Sequence, residues 1–146
     1  MRSRPRIFID TNIALDLLQA RDPFVFEAIQ IFALAEKGEI ELCISTDALS
    51  TIFYVIEKDE CAAKAREALS KLLDYVTLCA LDDSAVLAGM ALEFKDIEDA
   101  FVCSVAQRSN AEVIVTRDQG DFANSPVPVQ APVEFLASWK ASHPKS

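Results

Sequence analysis

Five short apolar runs, Arg6 to Ile9, Ile40 to Ile44, Tyr75 to Cys79, Glu112 to Thr116 and Val127 to Val129, recur along the chain with stretches of helical spacing between them. Each run reads as a strand. After Asp10, Ile13, Leu17 and Leu18 repeat at helical spacing. Asp22-Pro23 reads as a cap with proline at the first helical position, and Phe24, Ala28, Phe32 and Ala35 then continue one apolar face as far as Gly38. Ser45 is expected to cap a helix from Thr46 to Glu57, and a further helix spans Ala62 to Leu73. Asp82, Asp83 and Ser84 offer cap chemistry for a helix through Leu92, while Ile97, Phe101 and Val105 mark another after Lys95. A last helix lies near Pro132 to Trp139. Strands separated by helices imply right-handed crossovers, and hence a three-layer α/β/α fold around a mainly parallel sheet. Val113-Ile-Val, apolar at three successive positions, fits a strand covered on both faces. In such folds ligands sit beyond the carboxyl ends of the strands, where Asp10 and Asp118 fall.

At 146 residues the chain suits one domain, 1–146 with an ordered core over 6–139, and a hydrophobic content of 51% is enough to fill it. No stretch approaches the roughly 18 to 20 apolar residues of a membrane span, and the N-terminus lacks the apolar stretch of a signal peptide, so a soluble, cytoplasmic protein is expected. Cys43, Cys61, Cys79 and Cys103 show no paired spacing and have only His143 as an imidazole partner, which excludes a zinc site. Each sits beside apolar residues and reads as a small buried hydrophobe in a reducing compartment. The net charge of −9 argues against tight electrostatic binding of nucleic acid. Bound divalent cations would reverse that field locally and bridge to phosphate.

Carboxylates carry the chemistry. Asp10 stands in Ile9-Asp-Thr-Asn, Asp96 and Asp99 in Lys95-Asp-Ile-Glu-Asp-Ala, and Asp118 with Asp121 in Thr116-Arg-Asp-Gln-Gly-Asp-Phe. Singly, each has an ordinary use: Asp10 as a helix cap, Asp96, Glu98 and Asp99 as first-turn acids, Asp118 and Asp121 as turn residues beside Gly120. Together they are harder to explain that way. Asp96 and Asp99, three residues apart, share a helix face, and Asp10 and Asp118 end neighbouring strands of a doubly wound sheet. Anions gathered in one place repel, so a cluster of this kind makes sense chiefly around a hard divalent cation, and oxygen ligands suit Mg²⁺ or Mn²⁺.

Taken in order, Ile7-Phe-Ile-Asp-Thr-Asn-Ile, Ile44-Ser, Asp96-Ile-Glu-Asp-Ala and Val113-Ile-Val-Thr-Arg-Asp-Gln-Gly-Asp-Phe resemble the PIN domain family, most closely its bacterial toxin-like, VapC-like branch. The resemblance covers nearly the whole chain. It implies a metal-dependent endoribonuclease with Asp10, Asp99, Asp118 and Asp121 as catalytic residues. It implies Asp10, Asp96, Asp99, Asp118 and Asp121 as ligands of Mg²⁺ or Mn²⁺, and Thr11, Asn12 and Thr116 in support. The partners it implies are an RNA substrate, a cognate antitoxin protein and a second copy in a homodimer. The family's glutamate on the helix after the second strand is missing: the matching region reads Ala48-Leu-Ser-Thr-Ile-Phe-Tyr, with Ser50 or Thr51 in its place and Glu57 two turns further on as a solvated residue. That leaves open a catalytically weak or inactive PIN-like binding module. A haloacid-dehalogenase-like phosphoryl transferase also begins with an aspartate after its first strand, but expects a second acid where Asn12 stands.

Arg117, beside the aspartates, is the candidate for substrate binding, with an ion pair holding the loop as its structural alternative. For Arg2, Arg4 and Arg6 both solvation and contact with RNA phosphate are open. His143, in the polar tail Ser142-His-Pro-Lys-Ser, is read as solvated rather than catalytic. Phe53, Tyr54 and Phe101 belong to the core or to a partner groove, and Trp139 is expected to pin the last helix.

Overall fold

The computed structural model describes residues 4–144. In chain order these form β1 (Arg6–Ile9), α1 (Thr11–Leu18), α2 (Val25–Glu36), β2 (Glu41–Ser45), α3 (Ala48–Asp59), α4 (Ala62–Leu73), β3 (Val76–Cys79), α5 (Asp83–Met90), α6 (Ile97–Arg108), β4 (Val113–Val115), a single 3-10 turn (Gln119–Phe122), β5 (Val129–Gln130) and α7 (Pro132–Ser142). All the strand pairs are parallel, in the order β3-β2-β1-β4-β5. The order reverses at β1, which lies between β2 and β4, and this reversal opens a crevice at the carboxyl ends of those strands.

The three central strands, β2, β1 and β4, are apolar at successive positions because both of their faces are covered. Ile7, Ile9, Leu42, Ile44, Val113 and Val115 face a core shared with α1, α2, α3, α4 and α7. Phe8, Cys43 and Ile114, which alternate with them, face a second core shared with α5 and α6. The expected three-layer α/β/α architecture is thus present. Gly89 lets α5 approach α6: a Cβ there would stand 2.7 Å from Cδ1 of Phe101. No helix of the described residues is long and apolar enough to cross a membrane.

Several local expectations are corrected. Asp22 does not cap α2: residues 22–24 form a turn, the helix starts at Val25, and Phe24 lies beneath the Arg117 guanidinium, 3.9 Å from its ring centre. Ser45 closes β2 instead of capping α3, which begins at Ala48. The last strand is Val129–Gln130, starting two residues later than expected and ending one residue later, and it pairs in register with Ile114 and Val115 there. Cys43, Cys79 and Cys103 are buried, whereas Cys61 is exposed at the junction of α3 and α4. Arg6 opens β1, so it lies at the opposite end of that strand from Asp10, held by Glu41 Oε1 at 3.0 Å and the Ser109 carbonyl at 2.8 Å. Contact of Arg6 with a ligand at the carboxyl ends is therefore ruled out; Arg4 is exposed, and Arg2 lies outside the described residues. His143 is exposed and stacked on Trp139, with ring centres 3.8 Å apart, while Trp139 packs on the core through Phe135.

Candidate active site

Asp10 follows β1 directly and caps α1: its Oδ1 accepts the Thr11 amide at 2.8 Å. The ordinary use of the residue is therefore real, but it occupies only one oxygen. Oδ2 accepts the hydroxyl of Thr116, just beyond β4, at 2.8 Å. Thr116 is completely buried, and its Oγ1 in turn accepts the Asp118 amide at 3.1 Å. One hydroxyl thus ties the ends of two adjacent strands to the loop that carries Asp118. Asn12, in the first turn of α1, closes the network by donating from Nδ2 to Asp118 Oδ2 at 2.9 Å and, at 3.4 Å, to Asp10 Oδ2.

The third carboxylate arrives from the opposite core. Asp96 caps α6, accepting the Glu98 amide at 2.8 Å, and this start places Asp99 in the first turn. Asp10, Asn12, Asp99 and Asp118 line one pocket of about 210 Å³, whose other wall is the start of α3, with Asp47 and Thr51. None of the residues lining it is lysine, arginine or histidine. Asp96 and Asp121 instead line an adjoining pocket of about 300 Å³, and Asp99 borders both. The five aspartates singled out in the sequence therefore form two adjacent groups that share Asp99, rather than one ring. Asp121 lies in the 3-10 turn, anchored by Phe122, which is buried against Phe94 with ring centres 6.2 Å apart.

The electrostatics follow from this arrangement. Burial, followed by the charges of Asp96, Asp10, Asp121 and Asp118, pushes the Asp99 carboxyl up to about 7. Burial also raises Asp10, against the opposing pull of the Thr116 hydroxyl and the Thr11 amide. A proton on Asp99 relieves the same repulsion that a cation would.

Among the described residues no three His, Cys, Asp or Glu side chains converge closely enough to enclose an ion, so enclosing one requires side chains in the pocket to rotate. The chemistry of the donor set nevertheless suits a hard divalent cation, being composed of carboxylate, hydroxyl and amide oxygens. Asn12 Oδ1 is buried here without any hydrogen-bond partner, an acceptor left free beside the carboxylates.

Arg117 does not line this pocket, although its charge pulls the Asp10 carboxyl down. Its guanidinium grips Asp16 of α1 through Nε at 2.8 Å and Nη2 at 3.1 Å, an ion pair that holds the loop. Sequence reasoning missed Asp16. Its only signal is a carboxylate within the apolar stretch Ala14-Leu-Asp-Leu-Leu. Asp47 was missed because it looks like an ordinary helix-start residue. Of Ser50 and Thr51, only Thr51 borders the pocket; Ser50 is exposed and bonds back to the Asp47 carbonyl.

The model of a family described as PIN domain matches residues 6–120. Solved structures share the fold. The chain is 29% identical to one in a toxin–antitoxin complex from Klebsiella pneumoniae, with a TM-score of 0.65 over 86% of this chain and 97% of that one. It is 15% identical to a chain of DNA-bound VapBC from Salmonella typhimurium, with a TM-score of 0.69 over 88% and 98%. It is 16% identical to a sarcin-ricin loop cleaving VapC toxin of Mycobacterium tuberculosis, with a TM-score of 0.61 over 74% and 86%. A comparison with curated proteins finds no match.

Proposed function

The chain belongs to the PIN domain family, and from that premise we propose that it is a ribonuclease dependent on Mg²⁺ or Mn²⁺. The observation that carries this reading is the pocket at the reversal of strand order, which is bordered by Asp10, Asp99 and Asp118 and by no cationic side chain. Asp10, Asp99 and Asp118 would hold the ion, with Asp96 and Asp121 acting from the adjoining pocket. When bound, the ion supplies positive charge to the scissile phosphate and lowers the cost of charge developing there.

The chain's own residues have distinct parts in this scheme. Thr116 and the Thr11 amide fix the Asp10 carboxylate, so that it need not reorganise when the ion or phosphate arrives. Asn12 holds Asp118 toward Asp10 through Nδ2. Asp99, with its carboxyl pushed up to about 7, holds or releases a proton near neutral pH at the junction of the two pockets. The partner in the Klebsiella pneumoniae complex and in the VapBC structures supports a cognate antitoxin protein here; a homodimer is part of the proposal through the family resemblance alone.

The test is cleavage of a mixed RNA pool in Mn²⁺, in Mg²⁺ and with chelator, with an Asp99→Asn variant purified in parallel. The expected result is cleavage that requires metal and falls at least about a hundredfold in the variant. Failure of the folded protein to cleave in either metal, with Mn²⁺ shown to bind, would instead favour a PIN-like binding module. Equal cleavage by the variant would remove Asp99 from the active site.

A further inference from the structure

The wall of the pocket formed by α3 holds a carboxylate whose placement ordinary helix chemistry does not explain. Asp47 stands at the residue before α3, where an aspartate commonly accepts the free amides of the first turn. Here it accepts none of them: its backbone is already helical, at φ −68° and ψ −22°, and its side chain makes no capping bond. The carboxylate is turned back instead to the hydroxyl of Ser45, which donates to its Oδ1. Ser45 is the last residue of β2 and is 1% exposed. A buried hydroxyl at a strand end thus orients Asp47, as the buried Thr116 hydroxyl orients Asp10 two strands away.

Asp47 lines the same pocket as Asp10, Asp99 and Asp118. Of the residues that the end of β2 and the start of α3 contribute there, Ser45, Asp47, Ala48 and Thr51, it alone brings a negative charge. It shares the lining with four other acids, Asp10, Glu98, Asp99 and Asp118, and with no basic side chain, a set that a cation held between both walls would neutralise.

We propose that Asp47, oriented by Ser45, is a metal-site carboxylate of this chain and completes the α3 side of the pocket, where Thr51 supplies none. This rests on the proposed metal-dependent function, and the experiment separates the two. Mn²⁺ affinity is measured by calorimetric titration, and the Mn²⁺-induced rise in melting midpoint is followed in parallel. The proteins are the unmodified chain, Asp47→Asn, Asp99→Asn and the double variant Asp47→Asn, Thr51→Glu. Asp47→Asn is expected to weaken Mn²⁺ binding about tenfold or more and to shrink the Mn²⁺-induced rise, without lowering the midpoint of the metal-free protein. Thr51→Glu, one turn further along α3, is expected to restore most of the affinity.

A role confined to the helix dipole predicts the reverse: a lower midpoint in the metal-free protein with the Mn²⁺-induced rise unchanged. That outcome, with Asp99→Asn still abolishing the Mn²⁺ response, overturns the assignment of Asp47 and leaves the function standing. No Mn²⁺ response in the unmodified chain overturns both.

Discussion

Two aspartates of the same helical segment are buried, yet they live in opposite electrical surroundings. Asp16, 1% exposed, meets Arg117 in a two-pronged pair and Arg21 at 4.0 Å. Asp10, 8% exposed, meets only neutral donors: a hydroxyl, a backbone amide and a side-chain amide. A buried charge that is fully paired is a structural element, and Arg117 shows what this one holds. Its side chain is clamped to α1 and stacked on Phe24, while its backbone lies between Thr116 and Asp118. Asp10 has no ion-pair partner of its own, and the Arg117 charge offsets only part of what burial does to its carboxyl. The difference makes Asp16 part of the loop's support and leaves the Asp10 carboxylate facing the pocket without an ion pair.

The sharpest way to break this contrast is to neutralise each aspartate in turn. Asp16→Asn leaves Arg117 without its counter-ion and is expected to cost about 3 kcal/mol of stability in chemical denaturation. Asp10→Asn keeps one acceptor, for Thr116 or for the Thr11 amide but not both, and removes a desolvated charge; the two effects oppose, so the metal-free protein is expected to stay within about 1 kcal/mol of the original. Equal losses would erase the distinction.

A smaller effect sharpens the other side of the contrast through pH. Asp99 in the folded chain is pushed up to about 7, above the value of about 4 for a free carboxyl. The folded state therefore binds the proton more tightly than the unfolded state does. Its stabilising contribution is complete below pH ~4 and is lost as pH rises through about 7. The metal-free protein is expected to melt lower at pH 8 than at pH 5, and Asp99→Asn should flatten that slope. An unchanged slope in the variant would mean that the repulsion lies elsewhere. The smallest expected effect is that of Arg21→Ala: the group is partly exposed and 4.0 Å from Asp16, so its loss should cost less than about 1 kcal/mol. A loss as large as that of Asp16→Asn would make Arg21, not Arg117, the main counter-ion.

Much of the fold and part of the site are legible in the amino-acid order. The apolar runs mark the strands because a doubly covered parallel sheet demands apolar residues at consecutive positions, and Asp82 caps its helix as local spacing suggests, while Asp96, read as a first-turn acid, proves to be the cap of α6. Asp10, Asp99 and Asp118 stand out because their places at strand ends and in a first helical turn are themselves local features. Asp16 does not, since its partner Arg117 is 101 residues away and nothing nearby in sequence signals it. Nor does the division of Asp96 and Asp121 into a second pocket, which depends on how α6 and the 3-10 turn sit against each other. Asp47 is not singled out either, because Ser45 is read as the cap there, and only the tertiary structure shows the Ser45 hydroxyl donating to the Asp47 carboxylate at the pocket.

The sequence by itself determined the layers, the strands and which carboxylates stand at their ends, because periodicity and capping act over a few residues. Only the tertiary structure decided which of those charges are neutralised and which face one another across a pocket without a basic side chain. The reason is that Coulomb energy depends on distance and burial in space, and both are set by packing between segments remote in the chain.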